Sequence, residues 1–456
     1  MKVNVAGAGA GKTSQMANQI LDYSIPEGKI VFCIAFSNAA AENIERKVAL
    51  QLGYIPNNIR ISTIHSFLYQ ELISPYYFFL YGKHFSQLSS VDLPTDIKYR
   101  RVKLSELEDA NILHLTKIPE KAKWVVYQKS GDVKAVKEAR QKLLRYFSDY
   151  CAAIFVDEAQ DINEEIKIIL EALDRAGNTI ILYGDPKQDV KGLGCFRQII
   201  DDNMAAVNYI PYCFRCPQKH LDLSNMLAPE LEKQIADGKN LPGSIEIVFE
   251  SDIQDISSFI SEGNYGLKYI SMKRDRFATH EKNKIGDQFE TLRYEVYRAM
   301  IDKWGGHKSD LEICRGAFYI TEQMLKIYNG DNASEIISSC VNSGVFNKLI
   351  GKRYAQMARA FCFDNNEISD VTVVRSIEII KGLENKRCLF ILTPDLAPYL
   401  FREKTEDNKT SHLLYVALTR SLDHLTIFIT QEVEDKYTRE VIVQFLKHWD
   451  VLFATA

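Results

Sequence analysis

Val5-Ala6-Gly7-Ala8-Gly9-Ala10-Gly11-Lys12-Thr13 is entered from an apolar run beginning at Val3 and left through a helical pattern over Ser14 to Tyr23. Strand, glycine-rich turn and helix in that order predict a phosphate-binding loop. Such a turn aims successive backbone N–H groups and a helix N-terminus at phosphate oxygens. Lys12 adds a point charge, and the Thr13 hydroxyl can ligate Mg²⁺. Gly7, Ala8, Gly9, Ala10, Gly11, Lys12, Thr13 and Ser14 are therefore the candidate nucleotide-binding residues. Ala6 stands where the strict GxxxxGK[ST] pattern has its first glycine, so a chance glycine-rich turn competes until later motifs are weighed.

Working outward, Lys29 to Ala35 reads as a second buried strand, followed by Phe36-Ser37-Asn38 and a helical pattern over Ala39 to Leu50. Ile59 to Thr63 reads as a third and runs into Ile64-His65-Ser66-Phe67. Polar and aromatic groups thus gather at strand carboxyl ends, where open α/β sheets place ligands. From 71 to 149 the character changes to a mainly helical insertion. The sheet resumes at Ala152 to Val156 and closes on Asp157-Glu158-Ala159-Gln160-Asp161. Adjacent carboxylates at the end of a buried strand are costly unless used. One can hold Mg²⁺, and the other can orient or deprotonate a water attacking a γ-phosphate. N-capping of the next helix would explain Asp161 and at most Asp157 besides, but not the whole DExxD set. A fourth strand, Thr179 to Leu182, ends in Tyr183-Gly184-Asp185-Pro186-Lys187-Gln188, which sets Gln188 beside the phosphates.

With 456 residues, 46% hydrophobic and 25% charged, the chain can bury more than one core, and its length predicts two to four domains. No apolar run approaches the roughly 20 residues that span a bilayer, and Met1 leads straight into the first strand, so a cytoplasmic address with no membrane partner is expected. Nine scattered cysteines lack framework spacing and read as reduced core thiols. Cys213 and Cys216 form a lone CxxC with no second ligand pair nearby, so packing is favoured over zinc. The net charge of −4 excludes a uniformly basic coat but leaves room for a local basic groove.

The ordered series Ala6 to Thr13, Ala35-Phe36-Ser37-Asn38, Thr63-Ile64-His65-Ser66, Val156 to Asp161, Gly184 to Gln188, Phe214-Arg215, Lys381-Gly382-Leu383-Glu384 and Tyr415-Val416-Ala417-Leu418-Thr419-Arg420 resembles a UvrD/Rep-type superfamily one DNA helicase. Each fragment is modest, but eight in the right order are specific. The resemblance implies an α/β fold of two RecA-like P-loop domains, with ATP and Mg²⁺ in the cleft between them, a helical insertion 1B, and a reduced or absent 2B. The implied boundaries are domain 1A over 1–70 and 150–212, 1B over 71–149, and 2A over 213–456 with a small, mostly helical insertion around 273–370.

Residue by residue, the resemblance gives Lys12 and Thr13 to phosphate and metal, Asp157 to the metal, Glu158 to the general base and Gln188 to γ-phosphate sensing. Arg215 and Arg420 become catalytic arginines from the second half, with Arg420 expected to project from the end of its helix toward the other domain. A helix-end salt bridge is the competing reading for Arg420. Glu384 matches a ribose-contacting acid, with a Lys381–Glu384 surface pair as its competitor. Phe36, Asn38, Thr63 and His65 match positions along a single-strand path, although Phe36 also reads as core.

Departures from the family lie on that path. Asp189-Val190-Lys191-Gly192-Leu193-Gly194 replaces an aromatic and an arginine, which moves stacking to Phe196 or removes it. Glu378 replaces a histidine, Ala39 a lysine, and no glutamine motif for adenine precedes the loop. Two functions are implied. One is an ATP-driven translocase or helicase moving 3′ to 5′ on single-stranded or tailed DNA. The other is a regulatory or sensor ATPase, similar to the helicase partner of OLD-family nucleases in Gabija-type phage defence. In the second half, strands are expected at Ser244 to Phe249, Lys268 to Ser271, Val371 to Val374 and Arg387 to Leu392, with amphipathic helices over Phe289 to Trp304 and Ala333 to Ile350.

Overall fold

The structure, a computed structural model, describes residues 1–272, 276–279, 284–361, 372–449 and 451–453. The chain divides into two compact units. The first comprises residues 1–80, 119–280 and 368–456, and the second comprises 81–118 and 281–367.

Besides a two-stranded parallel pairing of Tyr212–Cys213 with Ile235–Ala236, the first unit contains two large parallel sheets. The N-terminal one is built from β1 (Lys2–Ala6), β2 (Ile30–Ala35), β3 (Ile59–Thr63), β4 (Cys151–Val156), β5 (Thr179–Gly184) and β6 (Val207–Ile210), in the order β3-β2-β4-β5-β1-β6. Val31 to Ala35 and Ala153 to Val156 are buried without alternation, as expected for strands covered on both faces. On one face pack Met16 and Ile20 of helix α1 (Lys12–Leu21) and Ile44 and Val48 of helix α2 (Asn38–Leu52). On the other, Phe32 lies 5.3 Å from Phe67 and 6.0 Å from Phe147 between ring centroids. Because every pairing is parallel, Ala6, Ala35, Thr63, Val156 and Gly184 all end at one edge. β5 separates the loop strand β1 from the acid strand β4.

The second sheet contains β7 (Ser244–Phe249), β8 (Leu267–Ile270), β9 (Phe277–Thr279), β10 (Thr372–Ser376), β11 (Asn385–Leu392), β12 (Ser421–Ile429) and β13 (Leu452–Phe453), ordered β9-β10-β8-β11-β12-β7-β13. The molecule therefore has two parallel-sheet α/β cores, consistent with two RecA-like domains. Ile247, Phe390 and Ile427 point into one buried cluster, and Val248, Leu389 and Phe428 into another, so this sheet too is covered on both faces. Of the expected strand Val371 to Val374, Val371 lies outside the described residues.

The second unit joins pieces of both helical stretches. Val91, Leu107 and Ile112 share a core with Leu292, Tyr297, Ile313, Ala317, Ile336 and Phe361. The segment 71–149 is thus divided: its middle packs with residues beyond 284, whereas the helix Lys134–Tyr150 belongs to the first unit through Phe147. The 362–370 end of the expected second insertion, and 273–275 at its start, lie outside the described residues. The helix expected over Ala333 to Ile350 stops at Asn342. Gly344 takes φ +77, and the Gly344 and Val345 N–H groups donate back to Val341 and Cys340 carbonyls at 3.0 and 2.9 Å, a left-handed cap that ends the helix. Among the described residues, no helix is long and apolar enough to cross a membrane.

Candidate active site

The carboxyl edge of the first sheet meets residues that precede β11 and β12 of the second. At β1, the strand ends on Ala6, whose methyl is fully buried and needs no glycine. Gly9 takes φ +70, and a Cβ there would lie 2.4 Å from Arg215 Cβ and 2.9 Å from Cys213 Sγ. Only glycine satisfies both the backbone and this close approach. Lys12 is 9% exposed, and its Nζ donates to the Ala6 and Gly7 carbonyls at 3.2 and 3.3 Å. Ala10 N–H donates to Gly7 O at 3.3 Å. Gly11 is the residue before α1. The Ser14 hydroxyl turns to Lys47 Nζ at 2.7 Å on α2, so its side chain is engaged away from Lys12.

At β4, the Thr13 hydroxyl donates to Asp157 Oδ2 at 2.8 Å, and Glu158 N–H donates to Asp157 Oδ1 at 3.0 Å. These hard oxygen donors sit side by side beneath the loop, which fits a magnesium ion that takes one carboxylate, a hydroxyl and phosphate oxygens. Among the described residues no group of three or more His, Cys, Asp or Glu could hold a metal by itself.

Burial and then the neighbouring Glu158 carboxylate raise the Asp157 pKa. For Glu158, burial opposes ionisation, but Lys12 and Lys381 outweigh it and hold the group below the ordinary carboxylate range. Glu158 adopts φ +55, a left-handed conformation unusual for a non-glycine residue, and Gln160 Nε2 donates to its Oε2. Gln160 is itself fixed by Asp185 N–H, which donates to its Oε1 at 3.0 Å. Gln188, 4% exposed, donates to Asp185 Oδ2 at 2.9 Å.

From the second half, Arg215 forms an ion pair with Glu384, and Lys381 pairs with Asp161 at 2.7 Å. The Lys381–Glu384 pair weighed from sequence is therefore replaced by two pairs with other partners. Lys381 also brings its charge to Glu158 across the edge. Phe214 is 56% exposed and lies about 3.5 Å from where a Cβ on Gly11 would be, an aromatic face over the mouth of the loop.

Arg420 differs from expectation. Its side chain is fully buried and does not project from the helix α3 (Lys409–Leu418). Its Nε donates to Val416 O at 3.0 Å, and its terminal nitrogens to Leu383 O at 3.4 Å and Thr419 Oγ1 at 3.1 Å. Those acceptors all belong to the second half, so the guanidinium ties α3 to the segment before β11. Cys213 and Cys216 are also fully buried, with their thiols directed to Ala8 O at 3.1 Å and Thr419 O at 3.4 Å.

Phe36, Asn38, Thr63 and His65 come together because β2 and β3 are adjacent, with Ala35 opposite Thr63. Phe36 is half-buried, Asn38 and His65 are exposed, and Thr63 Oγ1 caps Ser66 N–H at 3.3 Å. Phe196 is 2% exposed, with its ring packed over Gly184, so it offers no stacking face. Glu378 is paired with Lys409 at 2.6 Å, which neutralises the anion that the sequence placed on this path.

An ionic chain, buried at Lys187 and Glu232 and exposed at Asp407, joins the two halves beside the site. Lys187 sits between Asp185 (3.0 Å) and Glu232 (3.1 Å), Arg197 bridges Glu232 and Asp407, and His412 joins Asp407 (2.5 Å) to the Asp189 carbonyl (3.0 Å). Burial opposes charging of His412, but Asp407 and the Asp189 carbonyl outweigh it and raise its pKa. A raised histidine contributes stability that is complete below its unfolded pKa of about 6.5 and is lost as pH rises through the folded value. Thermal scans should show the wild type losing stability upward from about pH 6.5, and His412→Gln should flatten that fall. Identical slopes in both proteins would contradict the assignment.

Gln160, Asp185, Lys187, Phe214, Gln234, Lys381 and Tyr415 were not marked as site residues by sequence reasoning. For all of them but Gln234 a signal existed, since each stands inside one of the ordered motif fragments. Residues 1–192, less than half of the chain, match a family model described as AAA domain. No curated protein matches the chain. The matched span carries the phosphate loop, the acid pair and Gln188, and it supports a P-loop ATPase of helicase-like type.

Proposed function

We propose that the chain is an ATP-driven DNA translocase of the UvrD type, hydrolysing ATP between its two sheets and moving 3′ to 5′ on single-stranded or tailed DNA. The carrying observation is the meeting of Lys12, Asp157 and Glu158 at one sheet edge with Arg215, which approaches Gly9 from the second half. Lys12 and the loop N–H groups other than those of Ala8 and Ala10, which are engaged within the protein, bind the β- and γ-phosphates, while Thr13 and Asp157 would hold magnesium. Bound magnesium supplies charge neutralisation for the phosphate oxygens.

Glu158, kept ionised by Lys12 and Lys381 and aimed by Gln160, takes a proton from the attacking water as its oxygen bonds to the γ-phosphorus. The bond from that phosphorus to the β,γ-bridging oxygen breaks, and ADP leaves with the electron pair. Gln188 senses the γ-phosphate. Arg215 stabilises the charge on the transferring group, and Glu384, its ion-pair partner, is the acid that would contact the ribose. Phe36, Asn38, Thr63 and His65 follow the strand.

A second reading is favoured by the altered strand track, with Ala39, the Lys409-paired Glu378 and Phe196 in the core. In it the chain is the regulatory ATPase of a nuclease-containing phage-defence complex, with an OLD-family nuclease as partner and a cytoplasmic place of work. Strand displacement measured beside DNA-stimulated ATP turnover separates the two. Both readings expect single-stranded DNA affinity to fall with log salt at a slope near −0.7 per phosphate contacted. Salt-independent or undetectable binding would count against both.

A further inference from the structure

Ala8, the second residue of the loop after β1, has both its backbone groups taken by side chains of the second half. Its N–H donates to Tyr415 Oη at 3.1 Å, and Tyr415 Oη donates to Gln234 Oε1 at 2.8 Å. Gln234 Nε2 then donates back to the Ala8 carbonyl at 3.1 Å. This is a closed circuit of three hydrogen bonds around one residue. All its members are buried: Tyr415 is 1% and Gln234 2% exposed.

The loop is shaped to admit it. A Cβ on Gly7 would lie 2.2 Å from Gln234 Cδ, so the glycine makes room for the amide. Nearby, Phe214 N–H donates to Gly9 O at 2.8 Å, extending the second half's hold to the next residue. The Tyr415 ring is held in turn by Lys187 Nζ, 5.2 Å from its centroid, and Lys187 is locked between Asp185 and Glu232. Three chain segments far apart in sequence therefore fix the conformation of one peptide in the phosphate cradle.

We infer that Tyr415 and Gln234 are positioning residues for phosphoryl transfer. They act through Ala8: they set the direction of its N–H and thereby tie loop geometry to placement of the second half. This rests on the reading of the loop as an ATP site. A circuit of buried polar groups is also one in which losing one partner orphans the others. Its members should consequently behave as a unit.

The test is steady-state ATP turnover, with nucleotide binding and thermal unfolding, on the full chain carrying Tyr415→Phe, Gln234→Met or both, beside Lys12→Ala. Each single variant is expected to lower kcat per folded molecule about tenfold with KM changed less than about threefold. The double variant should lose little more than either single one. Unchanged kcat per folded molecule in the single variants, with only an earlier melt, would overturn the inference, and so would losses that simply multiply. If Tyr415→Phe does not fold, Gln234→Met carries the same test. If Lys12→Ala is inactive while both circuit variants hydrolyse ATP normally, the circuit alone is refuted. If Lys12→Ala hydrolyses ATP like the wild type, the ATP-site reading falls first.

Discussion

Glu158→Gln is expected to lower ATP turnover by at least about 10² while leaving nucleotide affinity within about threefold of wild type. The substitution keeps the shape of the side chain and removes the carboxylate that accepts the proton. It leaves Lys12, Thr13 and Asp157 in place, so the cradle still binds. Lys12→Ala should fail differently, because the charge meant for the β- and γ-phosphates is gone and affinity falls with turnover. The Lys12 and Lys381 charges that hold Glu158 ionised are the reason it, and not Asp157, is assigned the proton. Asp157 instead accepts hydrogen bonds from Thr13 and from Glu158 N–H, the posture of a metal ligand. Turnover like wild type in Glu158→Gln would remove the general-base assignment.

The two arginines of the second half should separate. Arg215→Ala is expected to lose about 10³ or more in kcat, roughly 4 kcal/mol of transition-state stabilisation, with a thermal midpoint near wild type. Arg215 is the arginine whose Cβ crowds Gly9, and its only described ion pair is with the 45% exposed Glu384. Arg420→Ala should instead melt early. Removing its guanidinium strips donors from the Val416 and Leu383 carbonyls and leaves a hole in a packed interior, each a known route to losing about 1 kcal/mol or more. Turnover per folded Arg420→Ala molecule should change by less than about tenfold. Kinetics and calorimetry on both variants decide it, and the reverse pattern would restore Arg420 as the arginine that acts across the edge.

The parts of this molecule that local pattern dictates were legible in the sequence. Val3 to Lys12 announces strand, turn and helix because apolar run, glycines and helical period follow each other directly. Ser244–Phe249 is found at its expected bounds because four of its six residues are apolar and buried. β12 was not read, since its first half, Ser421-Leu422-Asp423-His424, carries polar groups that are satisfied only across the sheet. His424 reaches Ser244 Oγ at 2.7 Å and Glu246 at 3.1 Å. The helix end at Asn342 turned on the left-handed Gly344, a backbone choice that periodicity does not record.

At the site, motif residues were legible because chemistry constrains their type and spacing. Their supports were not. Gln234 and Tyr415 are 181 residues apart and meet only through tertiary packing at Ala8. Arg420 shows the converse case, where a motif position was visible but its environment was not. Two of its three hydrogen-bond acceptors are main-chain carbonyls, which no residue type advertises.

On the function proposed, one ATP site is completed by both halves of the chain and answers to nucleic acid. The most direct measurement is steady-state ATP hydrolysis by the full chain as single-stranded DNA is titrated in, run in parallel with Lys12→Ala and Arg215→Ala. The expected result is turnover that rises with DNA and is lost in both variants, although they lie in opposite halves. Turnover that ignores DNA, or that survives Arg215→Ala undiminished, would contradict it.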